Sequence, residues 1–252
     1  MLKILAARFQ QGHRTIGFPD SPPVVPDRLR GLPAIHEDRC PADCRRCVDA
    51  CPMEALSREK GLSIDLGRCL FCTDCVEACP HGALQWTNEY RLAVRKRGDL
   101  VAGKDGIRLA AEMNAEMKRV FGRSLKFRQV SAGGCNGCEV DINVLTTVVF
   151  DLSRFGINIV ASPRHADGLI VTGPITENMK LATLKTFQAV PSPKLVVAVG
   201  SCAISGGPFR DHPEQHNGAT DLLPVDLFIP GCPPHPITIL DGLLRYLGKI
   251  KS

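Results

Sequence analysis

Two stretches of this 252-residue chain repeat a cysteine pattern that can do redox chemistry. The first, CPADCRRCVDACPMEAL, holds Cys40, Cys44, Cys47 and Cys51. The second, CLFCTDCVEACPHGAL, holds Cys69, Cys72, Cys75 and Cys79. The last three cysteines of each copy lie 28 residues apart, and both copies close on Cys-Pro, so the region is a duplicated half-domain. Three thiolates on a tight loop cap one face of an iron–sulfur cubane. In two-cluster proteins of this spacing the last cysteine crosses to the other cluster. The expected ligand sets are therefore Cys69, Cys72, Cys75 and Cys51 for one [4Fe–4S] centre, and Cys40, Cys44, Cys47 and Cys79 for the other. Zinc prefers two well-separated C-x2–4-C hooks and fits this crowding poorly. One spacing departs from the pattern: Cys40 and Cys44 are separated by three residues, so the first loop must bulge, which predicts a weaker centre there.

Four more cysteines follow residue 130. Cys135 and Cys138 share a glycine-rich loop, GGCNGCEVDI. Cys202 stands in KLVVAVGSCAISGG and Cys232 in VDLFIPGCPPHP, each just past an apolar run that reads as a strand. Ligands of open α/β sheets bind outside the carboxyl ends of the strands, and all four thiols fall there. They are expected to complete one further centre, against the alternative of four unlinked buried cysteines. The glycines around them permit close backbone approach.

The elements that must position these ligands can be read from periodicity. Beyond residue 124, apolar runs alternate with helical ones. Strands are expected at 126–132, 157–162, 168–173, 194–200 and 226–231, with helices at 140–155, 176–189 and 236–247. This predicts a flavodoxin-like, doubly wound α/β domain with a mostly parallel sheet, preceded by a small α+β two-cluster ferredoxin domain. The expected organisation is 1–35 as a docking segment with a small apolar face (Leu2, Ile4, Leu5, Phe9), 36–88 as the ferredoxin-like domain, 89–124 as a charged linker with an amphipathic helix over 106–122, and 125–252 as the α/β domain. The basic run Arg91–Asp99 reads as solvated linker rather than a nucleic-acid patch, since aromatic residues are only 5% of the chain.

The formal charge is +5. Three clusters of roughly −2 each, thiolates included, would bring it to about −1, so the basicity compensates buried anions. No apolar run reaches the length of a bilayer span, and the N-terminal residues lack a signal peptide's apolar core, which argues against a disulfide framework.

Residues 125–250 resemble the small subunit of energy-converting [NiFe] hydrogenases and, more distantly, the cluster-bearing quinone-site subunit of respiratory complex I. The resemblance rests on RSLKFRQVSAGGCNGCEVDI, VTGPITENM, GSCAISGG and PVDLFIPGCPPHP. FPDSPPVVPDRLRGLP and the two cysteine runs are similar to the ferredoxin-like subunit of formate hydrogenlyase. The resemblance implies a proximal [4Fe–4S] cluster on Cys135, Cys138, Cys202 and Cys232, making three [4Fe–4S] clusters in all. It also implies a partner large subunit holding nickel and iron, membrane-embedded subunits, an electron donor or acceptor protein, and a cytoplasmic site on the inner face of the cell membrane. The chain itself would carry no catalytic residue. The alternatives are a related complex I-like subunit that lacks nickel or reduces quinone, and a scaffold whose clusters are structural. Glu139 and Asp141 follow the C-x2-C loop, either as helix N-terminal carboxylates or on a proton path. His212 and His216 read as surface-loop residues. His235 reads as a packed loop histidine close enough to the proximal cluster to tune it.

Overall fold

The computed structural model describes residues 2–250. Helix α1 (Leu2–Gln11) opens the chain and buries none of its residues; Leu2, Ile4, Leu5 and Phe9 are all exposed. Among the described residues the expected apolar face is therefore left uncovered.

The cysteine repeat folds as two near-identical halves. Strand β1 (Pro33–Ile35) precedes the first cluster loop, which runs into the one-turn helix α2 (Arg46–Asp49). Strands β2 (Leu56–Ser57) and β3 (Ser63–Asp65) follow, then the second loop and helix α3 (Asp74–Glu77), then β4 (Leu84–Trp86). β1 pairs antiparallel with β4, so the first and last strands close the domain. Its apolar core includes Ile35, Leu56, Ile64, Leu66 and Leu84.

The segment expected as a linker is instead structural. Strand β5 (Val101–Ala102) adds to β3 in a three-stranded antiparallel sheet, in the order β2-β3-β5. Leu92, Ala93 and Val94 are buried. Three of its basic residues are engaged too: Arg97 pairs with Asp65 and Arg91 with Glu89, while Arg95 lies over the Tyr246 ring.

The amphipathic helix expected over 106–122 is also shorter than its pattern. Only α4 (Ala115–Phe121) is helical. The cause is competition for backbone donors. Ala110 N–H donates to the Ala93 carbonyl at 2.7 Å and Met113 N–H to the Tyr246 carbonyl at 2.8 Å. Neither amide is free for an i−4 partner, and Asn114 then caps the true start by accepting from Met117 N–H.

The second half carries a five-stranded sheet: β6 (Leu125–Ser131), then helix α5 (Gly137–Val144), β7 (Ile157–Ile159), β8 (Gly168–Thr172), helix α6 (Glu177–Ala189), β9 (Leu195–Val199), helix α7 (Ser201–Ser205), β10 (Leu227–Ile229) and helix α8 (Pro236–Tyr246). Every pairing is parallel, in the order β10-β9-β8-β6-β7. That is the flavodoxin arrangement, with its switch point between β6 and β8. β8, β9 and β10 are buried at every position, which is why they read as unbroken apolar runs. The helix expected over 140–155 stops at Val144. Thr146 and Thr147, in a β-branched run, turn their hydroxyls onto the carbonyls of Asn143 and Val144, and a short 3-10 turn at Leu152–Phe155 leads into β7.

The two halves share one body. Ala198, Ala203, Ile204 and Phe228 of the sheet domain belong to the core of the cysteine-repeat domain. Val94 and Phe228 exchange both backbone hydrogen bonds, at 3.0 and 2.9 Å.

Candidate iron–sulfur sites

The repeat places its cysteines in matched surroundings. Cys51 Sγ accepts from Ala55 N–H and Cys79 Sγ from Ala83 N–H, both at 3.3 Å and both 28 residues apart in the chain. Each arises from the same turn, reversed at Glu54 in one copy and Gly82 in the other, where φ is positive. Burial raises the Cys79 thiol, but the amides of residues 81–84 outweigh it and hold its pKa below the ordinary value.

Thiols of the two copies lie near enough to interact. Cys47 feels the charge of Cys79 and Cys40, and Cys69 that of Cys75, Cys51 and Cys72. Burial first, and these neighbours second, push Cys75 up to about 12; Cys69 rises to the same value, burial again leading. Cys75 also feels Cys47, so the two sets adjoin.

The longer spacing at Cys40 has a visible consequence. Cys69 Sγ accepts from the Phe71 amide at 3.2 Å. At Cys40 the corresponding donor is Arg58, whose Nη1 lies 2.7 Å from Sγ and also donates to the Cys44 carbonyl at 2.8 Å. A guanidinium thus takes over the role of a loop amide and pins the bulge at both ends.

The four late cysteines come together at the carboxyl edge of the sheet. Cys135 and Cys138 follow β6, Cys202 sits in α7 after β9, and Cys232 follows β10. Burial raises the thiols of Cys138, Cys202 and Cys232, and their mutual repulsion adds to it: Cys138 feels Cys202, Cys232 and Cys135, and Cys202 feels Cys232 and Cys135. These three thiols therefore disfavour ionisation unless a cationic core lies among them. Glycine lets two of these thiols pack close against the backbone. A Cβ at Gly200 would stand 2.4 Å from Cys138 Sγ, and one at Gly207 2.7 Å from Cys202 Sγ; both residues have positive φ. Among the described residues no three Cys, His, Asp or Glu groups could hold a single metal ion. Four thiols gathered at one sheet edge with no single-ion geometry among them suit a polynuclear sulfide core better than mononuclear zinc.

Cys135 and Cys232 are exposed, while Cys202 is buried. Glu139 is 5% exposed, and the hydroxyls of Ser131 and Thr172 both donate to its Oε1 at 2.6 Å. It therefore ties α5 to the ends of β6 and β8, at the switch point. Asp141 and His235 line a groove beside Cys232 together with Arg28, Arg30 and Phe71. Burial raises the Asp141 carboxyl and lowers the His235 imidazole. His235 caps α8, its Nδ1 accepting from Ile237 N–H at 3.2 Å. His212 accepts from the Glu214 amide and His216 pairs with Glu177, so these two histidines form no common site.

The late cysteines lie beside the loop that carries Cys69 and Cys72. Cys232 feels Cys72, and Ser201 Oγ donates to the Cys69 carbonyl at 2.6 Å. Two contacts link the cysteine groups: Cys47 lies near Cys75, and Cys72 near Cys232. Sequence reading missed Arg58, Ser201 and Ser205. Nothing in spacing or composition marks a serine or arginine whose partner is a distant loop.

The model of the NADH ubiquinone oxidoreductase 20 kDa subunit family matches residues 135–246, and that of the 4Fe-4S dicluster domain matches residues 39–83. A probable membrane-bound hydrogenase subunit mbhJ of Pyrococcus furiosus is 42% identical over 137 residues, 54% of this chain and 81% of that protein. The chain belongs to the 20 kDa subunit family. A 4Fe–4S dicluster domain precedes its family region. Other members include an NADH-quinone oxidoreductase subunit of Carboxydothermus hydrogenoformans, 45% identical over 46% of this chain and 70% of that one. Formate hydrogenlyase subunit 7 of Escherichia coli is 42% identical over 142 residues, 56% of each chain. The match thus spans little more than half of that relative. No helix among the described residues is long and apolar enough to cross a membrane.

Proposed function

We propose that this chain is the electron-relay subunit of a membrane-associated, hydrogenase-type complex, with Cys40, Cys44, Cys47 and Cys79, then Cys51, Cys69, Cys72 and Cys75, then Cys135, Cys138, Cys202 and Cys232 each holding a [4Fe–4S] cluster. When bound, each cluster would accept and give up one electron at a time. The observation that supports the reading is the adjacency of thiols across the three groups, with Cys47 near Cys75 and Cys72 near Cys232. The chain's residues bury the inner thiols and leave Cys135 and Cys232 open at one end. An exposed ligand edge suits a large-subunit partner that holds the nickel–iron site. All twelve cysteines are used by the three sets, so hydrogen chemistry belongs to that partner. Names of the relatives, a membrane-bound hydrogenase subunit and formate hydrogenlyase subunit 7, support the assignment. Attachment to the inner face of the membrane is part of the proposal, with α1 and its exposed apolar residues available for contact.

A second reading, a complex I-like subunit serving a quinone-reducing or nickel-free partner, is favoured by the identity to the NADH-quinone oxidoreductase relative. The C-x2-C spacing of Cys135 and Cys138 and the family resemblance it carries incline the choice to the hydrogenase side.

The test is iron analysis and paramagnetic resonance on the purified chain, with Cys232→Ser alongside. About twelve irons are expected, falling to about eight in the variant with the ferredoxin-type signals intact. Bound zinc without acid-labile sulfide would overturn the cluster assignment. Hydrogen evolution should need the large subunit added back; nickel-dependent evolution by this chain alone would overturn the subunit assignment.

A further inference from the structure

Helix α7 serves two ligand sets at once. It carries Cys202 of the late set, and its serines, Ser201 and Ser205, stand four residues apart on one face. Both are buried. Ser201 Oγ lies 2.6 Å from the carbonyl of Cys69 and 3.2 Å from that of Gly231, the residue before Cys232. Ser205 Oγ lies 2.7 Å from the Gly67 carbonyl and 3.2 Å from that of Ser201. A hydroxyl has one proton, and in each case the shorter contact is the one that crosses between domains. The partners are 132 and 138 residues away, on the turn that delivers Cys69.

The far side of that turn is gripped as well. Arg97 donates to both oxygens of Asp65 at 2.8 and 2.7 Å, and Asp65 also accepts from Gly67 N–H at 2.9 Å. Between the two grips there is no slack: a Cβ on Gly67 would stand 2.7 Å from Arg97 and 2.8 Å from Ile204. Apolar contact between the domains is non-directional and would tolerate sliding. Two directed bonds from one helix face fix the register.

We propose that Ser201 and Ser205 are positioning residues for electron exchange between the centre on Cys69 and the centre on Cys202. Their hydroxyls lock the separation of the two ligand loops, so that the electron leaving one reduced centre meets the other at a fixed distance. The inference rests on the reading above that both loops carry [4Fe–4S] clusters.

The experiment uses the full cluster-loaded chain and the variants S201A, S205A and S201A/S205A, with S205T as the hydroxyl-retaining control. Iron and sulfide content and melting temperature are measured first. Dithionite-reduced samples are then compared for the magnetic interaction between neighbouring centres and for the stopped-flow rate at which the late centre is reduced. The double variant is expected to keep its iron, to show a weakened interaction, and to reduce the late centre several-fold more slowly, while S205T behaves as wild type. Full iron with unchanged interaction and rate in the double variant would overturn the proposal. If the double variant loses iron, S205A carries the test with the same two outcomes, because its partner Gly67 is not a ligand residue. A wild-type chain without three reducible centres would instead overturn the functional reading itself.

Discussion

Arg58 offers a quantitative test of how the longer first spacing is accommodated. Its guanidinium donates to Cys40 Sγ at 2.7 Å, where the other half of the repeat uses the Phe71 amide on Cys69. A fixed positive charge stabilises the reduced centre more than the oxidised one, since reduction adds an electron. Arg58 is half-exposed, so an effective dielectric constant between protein and water applies. Taking about 40, and roughly 6 Å from guanidinium to the delocalised electron, the interaction is about 1.4 kcal/mol. For one electron that is about 60 mV. Arg58→Gln should therefore lower the midpoint potential of the centre on Cys40, Cys44, Cys47 and Cys79 by about 60 mV. Arg58→Lys should keep much of the charge term but lose the second bond, to the Cys44 carbonyl. The assay is a potentiometric titration followed by paramagnetic resonance, with iron counted in the same samples. An unmoved midpoint, or a shift confined to the centre on Cys69, would refute the reasoning.

Three further outcomes are expected. Gly200→Ala puts a methyl 2.4 Å from Cys138 Sγ at a positive φ, so it should abolish the late centre while the dicluster pair survives, as iron and sulfide analysis would register. Under mild oxidant the centre using Cys40 should degrade before its neighbour, because its set has one buried cysteine against two; earlier loss of the neighbour, followed by resonance, would contradict this. Freed of clusters, the chain should weaken in alkali. Cys69, Cys75 and Cys202 rise from 9.0 to about 12 in the fold, so stability is full below the unfolded value and is lost as pH climbs from about 9 toward about 12, a trend that denaturant melts would detect.

The ligand loops and the sheet were legible because their signals are local. Thiol spacing is set by loop geometry, and strands β8 and β9 announce themselves by apolar runs buried on both faces. The segment from residue 89 to 124 was not legible, because its fate is decided by partners elsewhere. Met113 follows a helical apolar spacing, yet its amide is taken by Tyr246, more than a hundred residues on. The basic run looks solvated in sequence, but Arg97 is bound to Asp65. In the sites, residue types pointed to candidate ligands and nothing pointed to their supports. Ser201 beside Cys202 looks like filler until its bond to Cys69 is seen. The bulge at Cys40 was visible, but not that Arg58, 18 residues on, would close it.

The bridge between Val94 and Phe228 bears on whether the two halves could ever live apart. β10 is the outermost strand of its sheet, short and apolar, and Phe228 is its middle residue. Uncovered strand edges recruit other chains. Here the chain supplies its own guard, because the stretch that leaves the cysteine-repeat domain runs along that edge and occupies it. A fragment starting at residue 125 would keep every late ligand and lose the guard. It should clump through the bared strand before it could be asked anything about electrons, so the covalent joining of the two halves is also a device for solubility.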